Sequence, residues 1–249
     1  MRLLLDVGNT FIGWALQEGA DLGASGRAHH GGSGLASVLD TLLAGLPAPE
    51  AVVVSNVAGA AGSRAVAEAV ARRFKLRPRF ITAPAAGCGV RNAYARPEAL
   101  GCDRWAAMVA AHARWPGDVL VADCGTAVTV DGVRADGGHL GGVIMPGLGL
   151  MRRALGTGTS ALVDAPADVT GEVAPGLARD TADGVRAGTL LMLAAALDAL
   201  EADARGGAQG ALTAIITGGD APHVLARLSG QWHHEPRLVL QGLAIIGGD

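Results

Sequence analysis

The sequence predicts an α/β fold of two related lobes, each with a mixed sheet flanked by helices. Two short motifs, DVGNT at 6–10 and DCGT at 123–126, lie nearly half the 249-residue chain apart. Each motif ends an apolar run and precedes a second β-prone stretch. Half of the residues are hydrophobic but only 3% are aromatic, which indicates aliphatic elements packed closely and joined by short turns. We expect the lobes at 1–98 and 99–249.

The first lobe is predicted to alternate strands and helices, because short β-branched runs such as 52–54 are typical of buried strands. Its predicted elements are strands at 2–7 and 11–17, a short strand near 26–30, a helix at 34–45, a strand at 51–57, a helix at 62–74 and a strand at 79–83.

The second lobe is predicted to repeat this order after an amphipathic helix at 99–114. Proline and glycine mark 84–98 and 156–178 as the main loops. The order of strands and helices in both halves is that of the actin-like (ribonuclease H-like) ATPase and sugar-kinase lobes. The predicted elements are strands at 118–123, 127–133 and 140–145, a helix from 148, a long helix at 180–204, a strand at 211–217, a short helix at 221–228 and a strand at 237–241.

Composition excludes several classes of partner. The net charge is −3 and no basic stripe is present, so we expect no nucleic-acid partner. The longest apolar stretch, 190–197, is far shorter than the ~20 residues that cross a bilayer. The N-terminus lacks the pattern of a signal peptide. We expect a cytoplasmic protein without membrane contact, whose three cysteines stay reduced.

The two repeated motifs have the composition of phosphate-binding loops. Glycine lets backbone N–H groups approach an anion, threonine adds a hydroxyl donor, and aspartate holds a cation directly or through water. One such turn alone is common in any protein. Its repetition in both lobes predicts a nucleotide in the cleft between them. The candidate residues are Asp6, Gly8, Asn9 and Thr10 in the first loop and Asp123, Gly125, Thr126 and Thr129 in the second.

Three further segments carry candidate residues. In 101–104, an acid and an arginine near a helix start are either an ordinary surface ion pair or a pair that takes a hydroxyl proton and clamps a carboxylate. Segment 141–148 passes from a strand through a proline-glycine turn to a helix. Gly218 and Gly219, between a strand and a helix, suit close contact with a nucleoside.

Other chemistries lack their motifs. The chain has no GxxxxGK[ST] phosphate loop, and the GxGxxA letters at 156–161 follow a helix rather than a strand. The histidine pairs at 29–30 and 233–234 have no HExxH or cysteine partners, so we interpret them as solvated loop residues rather than zinc ligands.

Six motifs follow one another along the chain: DVGNT (6–10), YARPEALGCDR (94–104), DCGTAVTVD (123–131), GGVIMPGL (141–148), DTADGVRAG (180–188) and ITGGDA (216–221). This ordered set closely resembles the type III pantothenate kinase family, of the acetate/sugar-kinase, heat-shock-70 and actin superfamily. This resemblance implies ATP-dependent phosphorylation of pantothenate on its primary hydroxyl to give 4'-phosphopantothenate, the first step toward coenzyme A. It also implies a homodimer that uses Mg²⁺ with ATP and a monovalent cation, K⁺ or NH₄⁺.

The resemblance also implies residue roles. Asp103 matches the general base, Asp6 a Mg²⁺ site reached directly or through water, and Asp123 the monovalent-cation site. The matching substrate residues are Tyr94, Gly101, Asp103, Arg104 and Thr181, the last of which reaches the site across the dimer. Cys102, Arg96 and Asp180 depart from the residues usual in the family.

Aspartate limits the chemistry available at position 103. Its reference pKa is about 3.9, so an aspartate cannot ionise an alcohol in advance. It must orient the hydroxyl and accept the proton late, as a loose phosphoryl-transfer transition state permits. Two alternatives stay open at this point: a non-catalytic accessory transcription regulator of the same family, and another small-molecule kinase of the superfamily. The complete set of acids and the lack of a basic patch favour the kinase.

Overall fold

A computed structural model describes residues 1–31, 34–158, 176–208 and 210–248. By packing, the chain divides into two compact units. Unit 1 contains residues 1–114, 136–139 and 237–249, and unit 2 contains 115–135 and 140–236. The units therefore do not follow chain order, and the predicted lobe boundary between residues 98 and 99 stays a prediction.

The described residues form twelve strands and seven α-helices. The strands are β1 Arg2–Val7, β2 Phe11–Glu18, β3 Asp21–His29, β4 Ala51–Asn56, β5 Arg79–Phe80, β6 Ala86–Gly87, β7 Val90–Arg91, β8 Asp118–Cys124, β9 Ala127–Val133, β10 His139–Pro146, β11 Leu212–Thr217 and β12 Trp232–His234. The helices are α1 Leu35–Ala44, α2 Gly59–Phe74, α3 Cys102–Arg114, α4 Leu148–Gly158, α5 Thr181–Gly207, α6 Ala221–Leu225 and α7 Leu238–Ile246.

The two large sheets have the same topology. The first has the order β3-β2-β1-β4-β5 and the second the order β10-β9-β8-β11-β12. In the first sheet, β1 pairs antiparallel with β2 and parallel with β4. In the second sheet, β8 pairs antiparallel with β9 and parallel with β11. The prediction of two related lobes is confirmed at the level of strand order and direction.

Each large sheet contributes to an aliphatic core. In unit 1 the central strands β1 and β4 bury branched side chains against α1 and α2. In unit 2 strands β8, β9 and β11 pack with α5 and α6. The central strands contain continuous apolar runs, such as 3–5 and 52–54, as expected for strands that are buried on both faces. Representative core residues are Leu3, Leu5, Val52, Val54 and Val70 in unit 1 and Leu120, Val128, Leu193, Leu197 and Ile216 in unit 2.

The predicted strand at 237–241 is wrong, since Leu238–Ile246 is helix α7. A short apolar run does not distinguish a buried strand from a buried helix. This helix packs on α3 in unit 1. A β-carbon on residue 242 would overlap the backbone of Ala106. Glycine therefore permits the close approach of the two helices.

Smaller differences concern element ends. Strand β3 begins at Asp21 rather than near 26, and β5 covers only Arg79–Phe80. The predicted loop at 84–98 contains β6, β7 and a 3-10 turn at Pro97–Ala99. Of the loop predicted at 156–178, residues 159–175 lie outside the described residues. Among the helices that are described, we find none long and apolar enough to span a membrane.

Candidate active site

The first predicted phosphate loop follows β1 in unit 1. Asp6 pairs with Gly13 on β2 and with Ser55 on β4, so it lies between two strands at the end of β1. The turn closes through a hydrogen bond from the Gly8 N–H to the Phe11 carbonyl at 3.0 Å. Asn9 is exposed at its tip. The sheet therefore holds Asp6, while the turn exposes Asn9 to solvent.

The start of α3 places Asp103 in a defined position. The Arg104 N–H donates to Asp103 Oδ1 at 2.8 Å, and the Trp105 N–H donates to the Gly101 carbonyl at 3.0 Å. A β-carbon on residue 101 would lie 2.5 Å from Asp103 Oδ1. Gly101 thus allows the Asp103 carboxylate to turn back over the first turn of the helix.

Cys102 joins this helix start to the end of β4. Its Sγ lies 3.4 Å from Ser55 Oγ and 3.3 Å from the Asn56 nitrogen, whose N–H donates to it. Burial raises the pKa of the Cys102 thiol, and the negative charges of Asp103 and Asp6 raise it further against the opposing hydrogen bonds. Both acids therefore lie close enough to act on one thiol. The thiol stays neutral near pH 7 and serves packing rather than nucleophilic chemistry.

Arg104 and Tyr94 meet in the same unit. Arg104 is only 6% exposed, and its Nη1 donates to the Tyr94 hydroxyl at 3.0 Å. The Tyr94 ring stacks on His139 with centroids 6.1 Å apart, and His139 Nδ1 accepts the Ala93 N–H at 3.4 Å. A buried guanidinium held by a phenol is a suitable clamp for a carboxylate.

The second predicted phosphate loop follows β8 in unit 2. Asp123 pairs with Thr129 across β9 and with Thr217 across β11. The turn closes by a hydrogen bond from the Gly125 N–H to the Ala127 carbonyl at 3.1 Å. The Gly147 N–H, in the predicted 141–148 segment, donates to the Thr126 carbonyl at 3.0 Å. The structure therefore brings Asp123, Thr129 and the 125–126 turn together.

Gly218 lies against this second loop. Its φ is +92°, and a β-carbon there would lie 2.5 Å from Asp123 Oδ1 and would also meet the Cys124 carbonyl. The Asp220 N–H donates to that carbonyl at 2.9 Å. The predicted nucleoside segment, including half-buried Gly219, is thus joined to the predicted phosphate loop. Burial raises the pKa of the Cys124 thiol beside them.

Thr181 is exposed in the first turn of α5. The preceding Asp180 caps this helix by accepting the Asp183 N–H at 2.9 Å, a hydrogen bond that lowers the pKa of the Asp180 carboxyl. Within the described part of unit 2, no hydrogen bond joins Thr181 to the Asp123 loop. Its assigned contact with substrate stays a prediction.

Each of the two loops has an aspartate that suits a cation whose coordination is completed by phosphate oxygens and water. No group of three or more His, Cys, Asp or Glu side chains among the described residues forms a metal cage. Mg²⁺ in phosphoryl-transfer sites commonly takes one or two carboxylates and completes its shell with phosphate oxygens and water. At Asp123, the missing side chains of Gly125 and Gly218 leave a cradle beside Oδ1. The residues therefore fit a hard cation shared with a triphosphate.

Sequence reasoning missed two histidines. His30, interpreted as a solvated loop residue, is 6% exposed, and its Nε2 lies 3.0 Å from the Gly8 carbonyl oxygen. The interpretation was wrong because it rested on the lack of HExxH or cysteine partners, which does not bear on burial, while the β2–β3 pairing carries residue 30 over the first loop. His139 is 7% exposed beneath Tyr94. No local motif marks either position.

Comparisons with known proteins show the family of this chain. The family model described as type III pantothenate kinase matches residues 2–203. The chain belongs to the type III pantothenate kinase family. A curated type III pantothenate kinase from Nitrosococcus oceani is 38% identical over 100% of this chain and 94% of its own. One from Halorhodospira halophila is 40% identical over 98% of this chain and 96% of its own.

Solved structures show the fold shared by this pantothenate kinase family member. The activator of 2-hydroxyisocaproyl-CoA dehydratase from Clostridium difficile, with bound ADPNP, has a TM-score of 0.57 at 14% identity and covers 98% of this chain and 93% of its own. A Baf family transcriptional activator from Campylobacter jejuni has a TM-score of 0.57 at 20% identity and covers 99% of this chain and 98% of its own. These likenesses confirm the predicted actin-like α/β class.

Proposed function

We propose that this chain transfers the γ-phosphoryl group of ATP to the primary hydroxyl of pantothenate. The observation that carries the proposal is the grouping, within unit 1, of Asp103 with a buried arginine-tyrosine pair. A kinase for a hydroxy acid needs a base beside the hydroxyl and a cation for the carboxylate. Membership of the type III pantothenate kinase family supports the identity of the acid.

Asp103 acts as the general base in this proposal. Its Oδ1 already accepts the Arg104 N–H, which holds the carboxylate in one direction before substrate binds. The hydroxyl of pantothenate is oriented by this carboxylate and loses its proton to it late, as the bond to phosphorus forms. Positioning and charge neutralisation then supply most of the rate, as is usual for phosphoryl transfer.

Arg104 binds the pantothenate carboxylate, and Tyr94 holds the guanidinium in place. Because Arg104 is buried, its interaction with an anion is screened less by water than that of a surface arginine. Gly101 keeps space beside Asp103, and Thr181 supplies a hydroxyl to the substrate of a partner subunit. Specificity for a carboxylic acid over a neutral sugar follows from the arginine.

The two motif loops bind the nucleotide. Gly8, Asn9 and Thr10 offer backbone and side-chain donors to phosphate in unit 1, and Gly125, Thr126 and Thr129 do so in unit 2. Gly218 and Gly219 border the nucleoside. Asp6 would hold the Mg²⁺ that accompanies ATP, directly or through water. When bound, the metal neutralises charge on the phosphates.

The decisive experiment is a coupled assay of ADP formation by the purified chain with ATP and Mg²⁺. Pantothenate is compared with a panel of sugars and short acids, and 4'-phosphopantothenate is detected by mass spectrometry. We expect turnover with pantothenate alone. Turnover only with a different acceptor would replace the substrate, and ATP binding without turnover on any acceptor would favour a regulatory role.

Potassium dependence is a separate prediction. The chain has no phosphate-loop lysine, so a monovalent cation at Asp123 and the carbonyls of the 123–129 turn is proposed to help balance the triphosphate charge. Activity should rise strongly when K⁺ or NH₄⁺ replaces Na⁺ at constant ionic strength. The Asp123→Ala variant should lose that response. Equal wild-type rates in sodium and potassium buffers would rule the cation site out.

We also propose a homodimer that covers the exposed apolar side chains of unit 2. Strand β10 lies at the edge of its sheet, and edges of this kind are usually covered or charged. Ile144 on β10 is 65% exposed, and Leu191 and Met192 on α5 are 70% and 66% exposed. A second copy of the chain would bury them.

The dimer is tested by light scattering after size exclusion. We expect twice the chain mass of 24.9 kDa for the wild type and a shift toward monomer for Ile144→Glu, because a buried charge opposes association. Ala71→Glu is the control, since Ala71 is exposed on α2 of unit 1, away from the apolar side chains that the dimer is proposed to cover. A wild-type monomer at micromolar concentration would contradict the proposal.

A further inference from the structure

Backbone carbonyls of the first phosphate loop are held by the residues that follow β3. The His30 N–H donates to the Thr10 carbonyl at 2.9 Å, and the Gly31 N–H donates to the same oxygen at 3.3 Å. The His30 side chain adds a contact from Nε2 to the Gly8 carbonyl oxygen at 3.0 Å. The loop is therefore fixed from one side at both Gly8 and Thr10.

The side-chain contact assigns a donor. A carbonyl oxygen only accepts, so His30 Nε2 must carry the hydrogen. His30 is 6% exposed, whereas the adjacent His29 is exposed and packs its ring on Phe11 at 4.9 Å between centroids. The hydrogen bond is partly buried, so its loss would leave the carbonyl with only partial compensation from water. The two histidines thus differ in environment despite adjacent positions.

The Gly8 carbonyl controls the direction of a neighbouring N–H. The described residues contain no cis peptide bond, and in a trans peptide the carbonyl and the following N–H point in opposite directions. Holding the Gly8 oxygen toward His30 therefore turns the Asn9 N–H away from His30. Asn9 is the exposed residue of the loop, and its N–H faces away from the buried imidazole of His30.

We propose that His30 is a positioning residue for nucleotide binding, which orients the Gly8–Asn9 peptide so that the Asn9 N–H donates to a phosphate oxygen of ATP. The inference rests on the proposed function of the 6–10 loop as a phosphate site. Glycine at position 8 lowers the barrier to rotation of this peptide, and the imidazole opposes that rotation. The backbone bonds to Thr10 do not depend on the side chain.

Amide substitutions at position 30 distinguish the effect of the Nε2 hydrogen-bond donor from the effect of side-chain volume. In His30→Gln the side-chain amide nitrogen reaches the place of Nε2, whereas in His30→Asn it reaches only the place of Nδ1. Each variant has a polar amide in the same buried position. We expect His30→Asn and His30→Phe to raise the KM for ATP roughly 10- to 100-fold, the span for one lost hydrogen bond to a charged group. We expect His30→Gln to restore most of the affinity.

The KM for pantothenate should stay near the wild-type value in all three variants, and His29→Gln should leave both KM values unchanged. Binding of a non-hydrolysable ATP analogue, measured by calorimetry, should follow the same order without any need for turnover. Equal ATP affinity in the Asn and Gln variants, or a parallel rise in both KM values, would overturn the inference.

The same measurements separate this inference from the proposed function. A wild type that binds the ATP analogue and loses that binding in His30→Asn, but does not phosphorylate pantothenate, would support the role of His30 and overturn the proposed reaction. A wild type that binds no nucleotide would overturn both. Normal kinase activity in the His30→Asn and His30→Phe variants at low ATP would overturn the role of His30 alone.

Discussion

Replacement of Asp103 by asparagine should lower kcat by roughly 10²–10⁴, the span for loss of one acid-base group. Asparagine has nearly the same shape and still accepts the Arg104 N–H through its carbonyl oxygen, so the helix start should keep its structure. It cannot take the hydroxyl proton in the transition state. Steady-state kinetics should therefore show a fall in kcat with little change in the KM for ATP or pantothenate.

Two further variants make this prediction specific. Gly101→Ala keeps the carboxylate but places a β-carbon 2.5 Å from Asp103 Oδ1, so it should lower kcat by displacing the base. Asp40→Asn is the matched control, because Asp40 forms an exposed ion pair with Arg72 in the same unit; kcat should not change. Wild-type turnover in Asp103→Asn would remove this residue from the mechanism.

Repetition of the fold could be predicted because its signals are local. Short apolar runs that end in DVGNT and DCGT mark equivalent strands, and both sheets have the same order. The last element could not be predicted in this way, since the residues of α7 are apolar on nearly every side. Their helical state is favoured by packing on α3 through Gly242, which is a property of two distant segments.

The candidate site was predictable in its parts but not in its contacts. Asp123 and Gly218 come together because β8 pairs parallel with β11 in the register that matches Asp123 with Thr217. The pairing of Asp6 with Ser55, and the Cys102 thiol beside Ser55, likewise depend on the β1–β4 register. Registers between strands far apart in sequence follow from side-chain packing across the sheet. No single motif encodes them.

Substitution of Gly218 by alanine should impair both folding and nucleotide binding. A residue with a β-carbon is strained at φ +92°, at a cost of about 1–3 kcal/mol in unfolding free energy. The new carbon would also lie 2.5 Å from Asp123 Oδ1 and would meet the Cys124 carbonyl that accepts the Asp220 N–H. The phosphate loop must then move away from the nucleoside segment, so we expect the KM for ATP to rise tenfold or more, equivalent to at least about 1.4 kcal/mol.

Thermal unfolding and ATP kinetics would be compared with Gly184→Ala in α5 of the same unit. A β-carbon on residue 184 meets no atom within 4 Å, and in a helix this change usually stabilises by about 0.4–1 kcal/mol. Gly184→Ala should therefore raise the melting temperature slightly and leave ATP kinetics unchanged. If Gly218→Ala kept the wild-type melting temperature and ATP KM, the 123–126 turn would not depend on Gly218. The proposal that this turn and the nucleoside segment bind one nucleotide together would then fail.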